Sequence, residues 1–420
     1  MDKIIIEGAY KLSGEVNVSG SKNAALPILI ATLLTDEKCV LDNVPELKDI
    51  ETTTALLEYF GKIITKNGNK IEITHNRQVK TPLEAPYELV KKMRASFIVA
   101  GPLLARYGRI KVALPGGCAI GVRPVDIHLK GFEKLGAKVT FKSGYMNITC
   151  SKLKGTKIKL RFPSVGATEN LMITSALAKG KTIIENAARE PEIVDLADFL
   201  NALGARVIDA GKAKIEIHGV EKLHGTPYYS IIPDRIEAGT YLVAGAITKG
   251  CVTVNKCLSS HLKALLVNFR KAGLEVAENK DSITVKYIGK IKPVSIKTQP
   301  YPGFPTDLQA QWMALMCNAD GKSEIAEKVF ENRFIHVSEL QRLGADLTVN
   351  ADVVTVTGES RLTGAQVMVS DLRAGAALVL AGLAAEGKTT ISHIYHLDRG
   401  YEHLENKLRT LGAKIFREIG

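Results

Sequence analysis

The sequence predicts an α/β protein built from six repeats of about 70 residues, grouped three to a domain. Three observations carry this. First, a helix-like stretch ends at Gly and passes into a β-branched or charged strand start at Gly61, Gly136, Gly204, Gly273, Gly344 and Gly412, with separations of 75, 68, 69, 71 and 68 residues. Second, each repeat holds an apolar helix-like run; Ala374 to Ala385 is apolar on every side, which belongs inside a core rather than on a surface. Third, 420 residues are too many for one ordinary core, so three repeats around their apolar helices would make one domain and six would make two.

Each repeat reads as strand, helix, strand, helix, strand, strand. The apolar helix ends at a turn and feeds a short strand, as where Ser175 to Gly180 precedes Thr182-Ile183-Ile184 and Leu383 to Gly387 precedes Thr389-Thr390-Ile391. An amphipathic helix follows, as in Ile193 to Leu203, where apolar residues fall at helical spacing. The junction Gly suits a left-handed helix end, and the β-branched residues after it start the next strand. Two similar lobes predict a ligand cleft between them, fed by both halves of the chain.

The starts of the apolar helices carry the chemistry. The first repeat offers Ser19-Gly20-Ser21-Lys22-Asn23, ahead of the run Ala25 to Leu34. The second offers Arg94-Ala95-Ser96, the third Ser164-Val165-Gly166-Ala167, and the fourth Asp234-Arg235-Ile236-Glu237. The fifth offers Pro305-Thr306-Asp307 and the sixth Ser370-Asp371-Leu372-Arg373. Ser, Thr and Asp there are ordinary helix caps. Lys22, Arg94, Arg235 and Arg373 are not, because a cation opposes the helix dipole at that end. A local rule broken four times in equivalent places predicts an anion-binding site.

The segment Pro115-Gly116-Gly117-Cys118-Ala119-Ile120-Gly121-Val122-Arg123-Pro124-Val125-Asp126-Ile127-His128 is the densest in chemistry. Its glycines suit a mobile loop. Arg123 and His128 give Cys118 an electropositive setting that lowers a thiol pKa, so Cys118 reads as a nucleophile or a general acid. Two further segments, Phe330-Glu331-Asn332-Arg333-Phe334 and His396-Leu397-Asp398-Arg399-Gly400, precede amphipathic helices; Arg399 could clamp a carboxylate or phosphate, although either arginine taken alone reads as a surface residue.

The motifs SGSKNAALPIL, MRAS, LPGGCAIGVRPVDIH, SVGATEN, PDRIEAGT, FPTDLQAQ, VFENRF, DLRAGAALVLAG and IYHLDRGYE, in this order along the whole chain, resemble the enolpyruvyl transferase family. The resemblance implies an inside-out α/β barrel of two domains, residues 22–230 and residues 1–21 with 231–420, with the active site in the cleft between them. It implies transfer of the enolpyruvyl group of phosphoenolpyruvate to the 3′-hydroxyl of UDP-N-acetylglucosamine, with release of phosphate. Phosphoenolpyruvate is then assigned to Lys22, Asn23, Arg94, Arg123, Arg373 and Arg399. The nucleotide sugar is assigned to Arg94, Arg123, Pro124, Val125, Asp126, Ile127, Ser164, Val165, Asp307 and Val329. Asp307 matches the residue that takes the hydroxyl proton, and Cys118 the residue that protonates the methylene carbon and forms a covalent adduct. Lys22 and Arg399 join them as catalytic groups, and neither a metal nor a cofactor is implied. Some family members have a lysine just before the SVGA motif, where this chain has Arg161-Phe162-Pro163.

The remaining composition narrows the alternatives. A formal net charge of +12 favours anionic partners, but no block of basic residues or aromatic–basic alternation points to nucleic acid. No leader or bilayer-spanning run is visible, so a cytoplasmic enzyme of small-molecule substrates, with no membrane or obligate protein partner, is expected. The six cysteines show neither metal spacing nor a disulfide framework, and all but Cys118 read as buried small hydrophobes.

Overall fold

All six junction glycines adopt the left-handed conformation that the repeat requires, with φ between 83° and 100°. The amide one residue past the glycine reaches back into the last helical turn in five of the repeats. Ala137, Ala205, Leu274, Ala345 and Ala413 donate to the carbonyls of Phe132, Leu200, Phe269, Leu340 and Leu408 at 2.9–3.1 Å. This closes the ends of the outer helices and turns the chain into the next strand. The structure, a computed structural model, describes residues 2–91, 93–113 and 125–420.

The described residues form two compact units. One runs from Gly20 to Ile232; the other joins the N-terminal residues through Ser19 to Pro233–Gly420. Each unit has its own apolar core. In the unit ending at Gly420, helices Arg235–Ile247, Gln309–Met316 and Leu372–Ala384 pack on one another. In the other, Lys22–Ala31 and Ala100–Tyr107 pack on Val165–Ser175. Every residue of Arg235–Ile247 is buried, as an all-round apolar helix demands. Small residues permit the close approach: a Cβ at Gly239 would lie 2.7 Å from Leu308, and one at Gly101 would lie 2.2 Å from the Asn170 side-chain oxygen.

In the second and fifth repeats the core helix begins as a 3-10 turn, at Arg94–Val99 and Thr306–Leu308. In the second repeat Pro102 supplies the reason: it has no N–H for the carbonyl of Ile98, so the regular ladder starts late.

Among the described residues the strands form six four-stranded sheets. In each, a first strand pairs parallel with a second, and the rest of the sheet is antiparallel. Contiguous repeats, however, are not what the chain builds. The strand preceding the first core helix, Ser13–Asn17, pairs parallel with Cys251–Asn255 of the fourth repeat. The matching place beside Cys39–Asp42 in the first repeat is filled by Thr226–Ser230. The first and fourth repeats have therefore exchanged first strands. The sixth sheet is completed by Lys3–Glu7, which sits between Lys388–Ser392 and Lys414–Glu418.

Cys39, Cys257 and Cys317 are buried as expected, whereas Cys150 and Cys251 are only half-buried, because each lies at the end or beginning of a strand. Among the described residues no helix is long and apolar enough to cross a membrane.

Candidate active site

The first turns of the core helices are built as the sequence suggests. Ser21 and Ser164 cap Lys22–Ala31 and Val165–Ser175, their hydroxyls accepting from the amides of Ala24 and Ala167 at 3.4 and 3.3 Å. Asp234 and Asp371 cap Arg235–Ile247 and Leu372–Ala384, each carboxylate accepting two amides at 2.7–3.1 Å. The capping carboxyl groups lie beside the cations that follow them in sequence.

Lys22 is buried, although a lysine at a helix start is ordinarily a surface residue. Its ammonium lies 2.9 Å from the carboxylate of Asp49, in the first turn of the outer helix Lys48–Tyr59. Asn23 follows, half-buried. Asp49 was not among the expected site residues: an acid in a first turn looks like ordinary dipole complementation until its partner is seen.

The unit ending at Gly420 contributes a denser constellation. Asp307 sits in the 3-10 turn Thr306–Leu308 between two guanidiniums, with Arg333 at 2.9 Å on one carboxylate oxygen and Arg373 at 3.1 Å on the other. Arg333 is 5% exposed and Arg373 3% exposed. The expectation of a surface role for Arg333 is thus corrected; its long stem is buried and its head is held by Asp307. Burial works against the charge on Arg373, but Asp307, Tyr401 and Asp234 outweigh it and hold the guanidinium charged. One of its terminal nitrogens has no hydrogen-bond partner among the described residues. A buried, charged donor with an unspent N–H suits an anionic ligand. Arg235 lies over the ring of Tyr301, 5.7 Å from its centroid, and Arg399 is half-buried at the end of the 3-10 turn Ile394–Arg399.

Ser164 and Val165 lie half-buried at the start of their helix, as do Val125, Asp126 and Ile127 at the start of Asp126–Lys134. Ile127 lines a cavity of about 470 Å³ with Lys130, Lys134, Leu160 and Arg161. Arg161, in the segment where the family lysine is missing, forms an ion pair with Asp126 at 2.9 Å, while Phe162 faces solvent. Val329 is half-buried in the other unit, its amide donating to the carboxylate of Glu327 at 2.8 Å. Cys118, Arg123, Pro124 and the side chain of Arg94 lie outside the described residues.

The sequence model of the EPSP synthase (3-phosphoshikimate 1-carboxyvinyltransferase) family matches residues 6–408. The UDP-N-acetylglucosamine 1-carboxyvinyltransferase of Endomicrobium trichonymphae is 58% identical over 416 residues, covering 99% of either chain. The protein of the same name from Geobacter metallireducens is 54% identical, again over 99% of each. Among solved structures, the enolpyruvyl transferase NikO from Streptomyces tendae superposes with a TM-score of 0.90 at 25% identity, covering 100% of this chain and 99% of that one. EPSP synthase from Acinetobacter baumannii superposes with a TM-score of 0.78 at 18% identity over 100% of both chains, a likeness of fold alone.

Proposed function

Because the chain belongs to the enolpyruvyl transferase family, we propose that residues of both its units serve one reaction: transfer of the enolpyruvyl group of phosphoenolpyruvate to the 3′-hydroxyl of UDP-N-acetylglucosamine. This is the first committed step of peptidoglycan synthesis, and relatives more than half identical from end to end carry that activity in their names. The hydroxyl oxygen adds to C2 of phosphoenolpyruvate while a proton adds to C3, giving a tetrahedral ketal. Loss of phosphate from C2 and of a proton from C3 then restores the double bond in the product.

Asp307 takes the hydroxyl proton. As an ion-paired carboxylate it is an acceptor only, and two arginines fix its orientation. Lys22, Asn23, Arg94, Arg123, Arg373 and Arg399 hold the phosphate and carboxylate of phosphoenolpyruvate, where fixed cations stabilise the charge that develops as phosphate leaves. Cys118 supplies the proton to C3; in its covalent adduct the sulfur bonds to C2 as its proton goes to C3, and both steps reverse before the hydroxyl oxygen adds. Val125, Asp126, Ile127, Ser164, Val165 and Val329, with Arg123 and Pro124, bind the nucleotide sugar. Substrates of this kind belong to the cytoplasm. The single observation that supports the reading best within the structure is Arg373: a buried guanidinium with an unspent N–H, touching the carboxylate that would act as base.

The test is phosphate release from phosphoenolpyruvate with UDP-N-acetylglucosamine or shikimate 3-phosphate as acceptor. Turnover is expected with the first alone. Turnover with only the second would move the chain to the sister activity for which the matching family model is named.

A further inference from the structure

Glu327 follows the strand Ser323–Ala326 and is 3% exposed. One of its carboxylate oxygens accepts from the Thr298 hydroxyl at 2.8 Å and from the amides of Val329 and Phe330 at 2.8 and 3.1 Å. The other accepts from the Thr306 hydroxyl at 2.9 Å. Thr298, fully buried, accepts in turn from the amide of Lys328 at 2.9 Å. Among the described residues no ion pair forms on Glu327, so this carboxylate is kept in the interior by hydrogen bonds alone. A buried charge is tolerated only when its lone pairs are used in this way.

The three segments it joins have one thing in common. Thr306 immediately precedes Asp307. Val329 and Phe330 lead, three residues on, to Arg333, which holds Asp307 from the other side. Thr298, just past the strand Ile296–Lys297, is tied in by its amide, which donates to the Ala326 carbonyl at 2.9 Å. One carboxylate thereby sets the separation between the turn carrying the base and the loop carrying its arginine.

We propose that Glu327 is a positioning residue for the transfer: it fixes Asp307 against Arg333 and holds Val329 where the nucleotide sugar is read. The inference rests on the functional reading above. It acts through geometry, not charge. A glutamine keeps an acceptor for Thr298, Val329 and Phe330, and its amide nitrogen can donate to Thr306, whose hydroxyl then accepts.

The experiment is steady-state kinetics on the full chain, with unfolding midpoints for each variant. Turnover by the unsubstituted protein comes first; if it fails with UDP-N-acetylglucosamine, the functional reading is wrong and the positioning role falls with it. Given turnover, Glu327→Ala should lower kcat about 100-fold, as displacement of a reacting group by an ångström does. It should also raise KM for UDP-N-acetylglucosamine about 10-fold through Val329, and leave KM for phosphoenolpyruvate within about 2-fold, the loss of one polar anchor being worth about that factor of ten. Thr306→Val removes only the tie to the Asp307 turn and should lower kcat about 10-fold with KM unchanged. Glu327→Gln should retain kcat and both KM values within about 3-fold. The proposal is overturned if Thr306→Val matches the unsubstituted protein, or if Glu327→Gln is as impaired as Glu327→Ala. If Glu327→Ala does not fold, the other two variants decide.

Discussion

Glu237 and Glu169 are both buried carboxylates in the first half of a core helix, one in each unit, and they are treated differently. Glu237 accepts from the Lys407 ammonium at 2.7 Å and from the Ser19 amide at 2.7 Å. Burial pushes its carboxyl up while Lys407 pulls it back. Glu169 forms no ion pair among the described residues; burial, with Glu192 and Glu190 close by, pushes it up to about 8. The same contrast recurs around them. Asp307 has two arginines, and Arg417 holds Asp398 and Glu405. In the other unit Asp195 depends on the Tyr229 hydroxyl and the Ile232 amide, and burial pushes it up to about 6. The repeat architecture thus accommodates buried acids in three ways: paired with cations, as also at Asp49 with Lys22; held by hydrogen bonds alone, as at Glu327 and Asp195; or kept protonated to about pH 8, as at Glu169. The first fixes charge, and the last makes stability sensitive to pH.

The sharpest way to break this contrast is at Arg373. Arg373→Ala leaves Asp307 short of a cation and removes the unspent N–H, so kcat/KM should fall about 1,000-fold, or about 4 kcal/mol of transition-state stabilisation. Unchanged kcat/KM would deny the paired acid any functional meaning. Next is Glu237→Gln, which strips Lys407 of its anion. Urea denaturation should show a loss of about 3 kcal/mol, because removing one partner of a buried pair strands the other.

Glu169→Gln should behave in the opposite sense. The folded chain keeps the Glu169 proton to about pH 8, whereas the unfolded chain releases it near 4.5. The unfolded state is therefore favoured progressively as pH rises through that window, and the full cost is present above it. Relative to the glutamine variant, the unsubstituted protein should lose about 2 kcal/mol between pH 6.5 and 8. A parallel pH profile for the two proteins would show that Glu169 is already ionised. The smallest effect belongs to an ordinary cap: Ser164→Ala should cost about 1 kcal/mol at either pH, read as a shift in the urea midpoint.

Much of this was legible in the residues. The six junction glycines, the core helices and the caps follow from periodicity and local stereochemistry, because a left-handed helix end or an all-round apolar helix is specified within a few residues of itself. Lys22, Arg235 and Arg373 stood out because they oppose the helix dipole, and the family resemblance gave Asp307 and Arg399, already singled out, their specific roles.

Tertiary structure alone decided three things. It decided that Ser13–Asn17 and Thr226–Ser230 trade places between the first and fourth repeats, since each pairs with a strand more than 180 positions away and nothing local names that partner. It decided that Asp49 meets Lys22 and Arg333 meets Asp307, across 27 and 26 positions of chain. It decided that Glu327, an unremarked acid after a strand, ties Thr306, the neighbour of Asp307, to the amide of Val329. Repeats and helix ends are short-range, so sequence determines them; which charges share a buried space depends on packing between segments, and only the folded chain sets that.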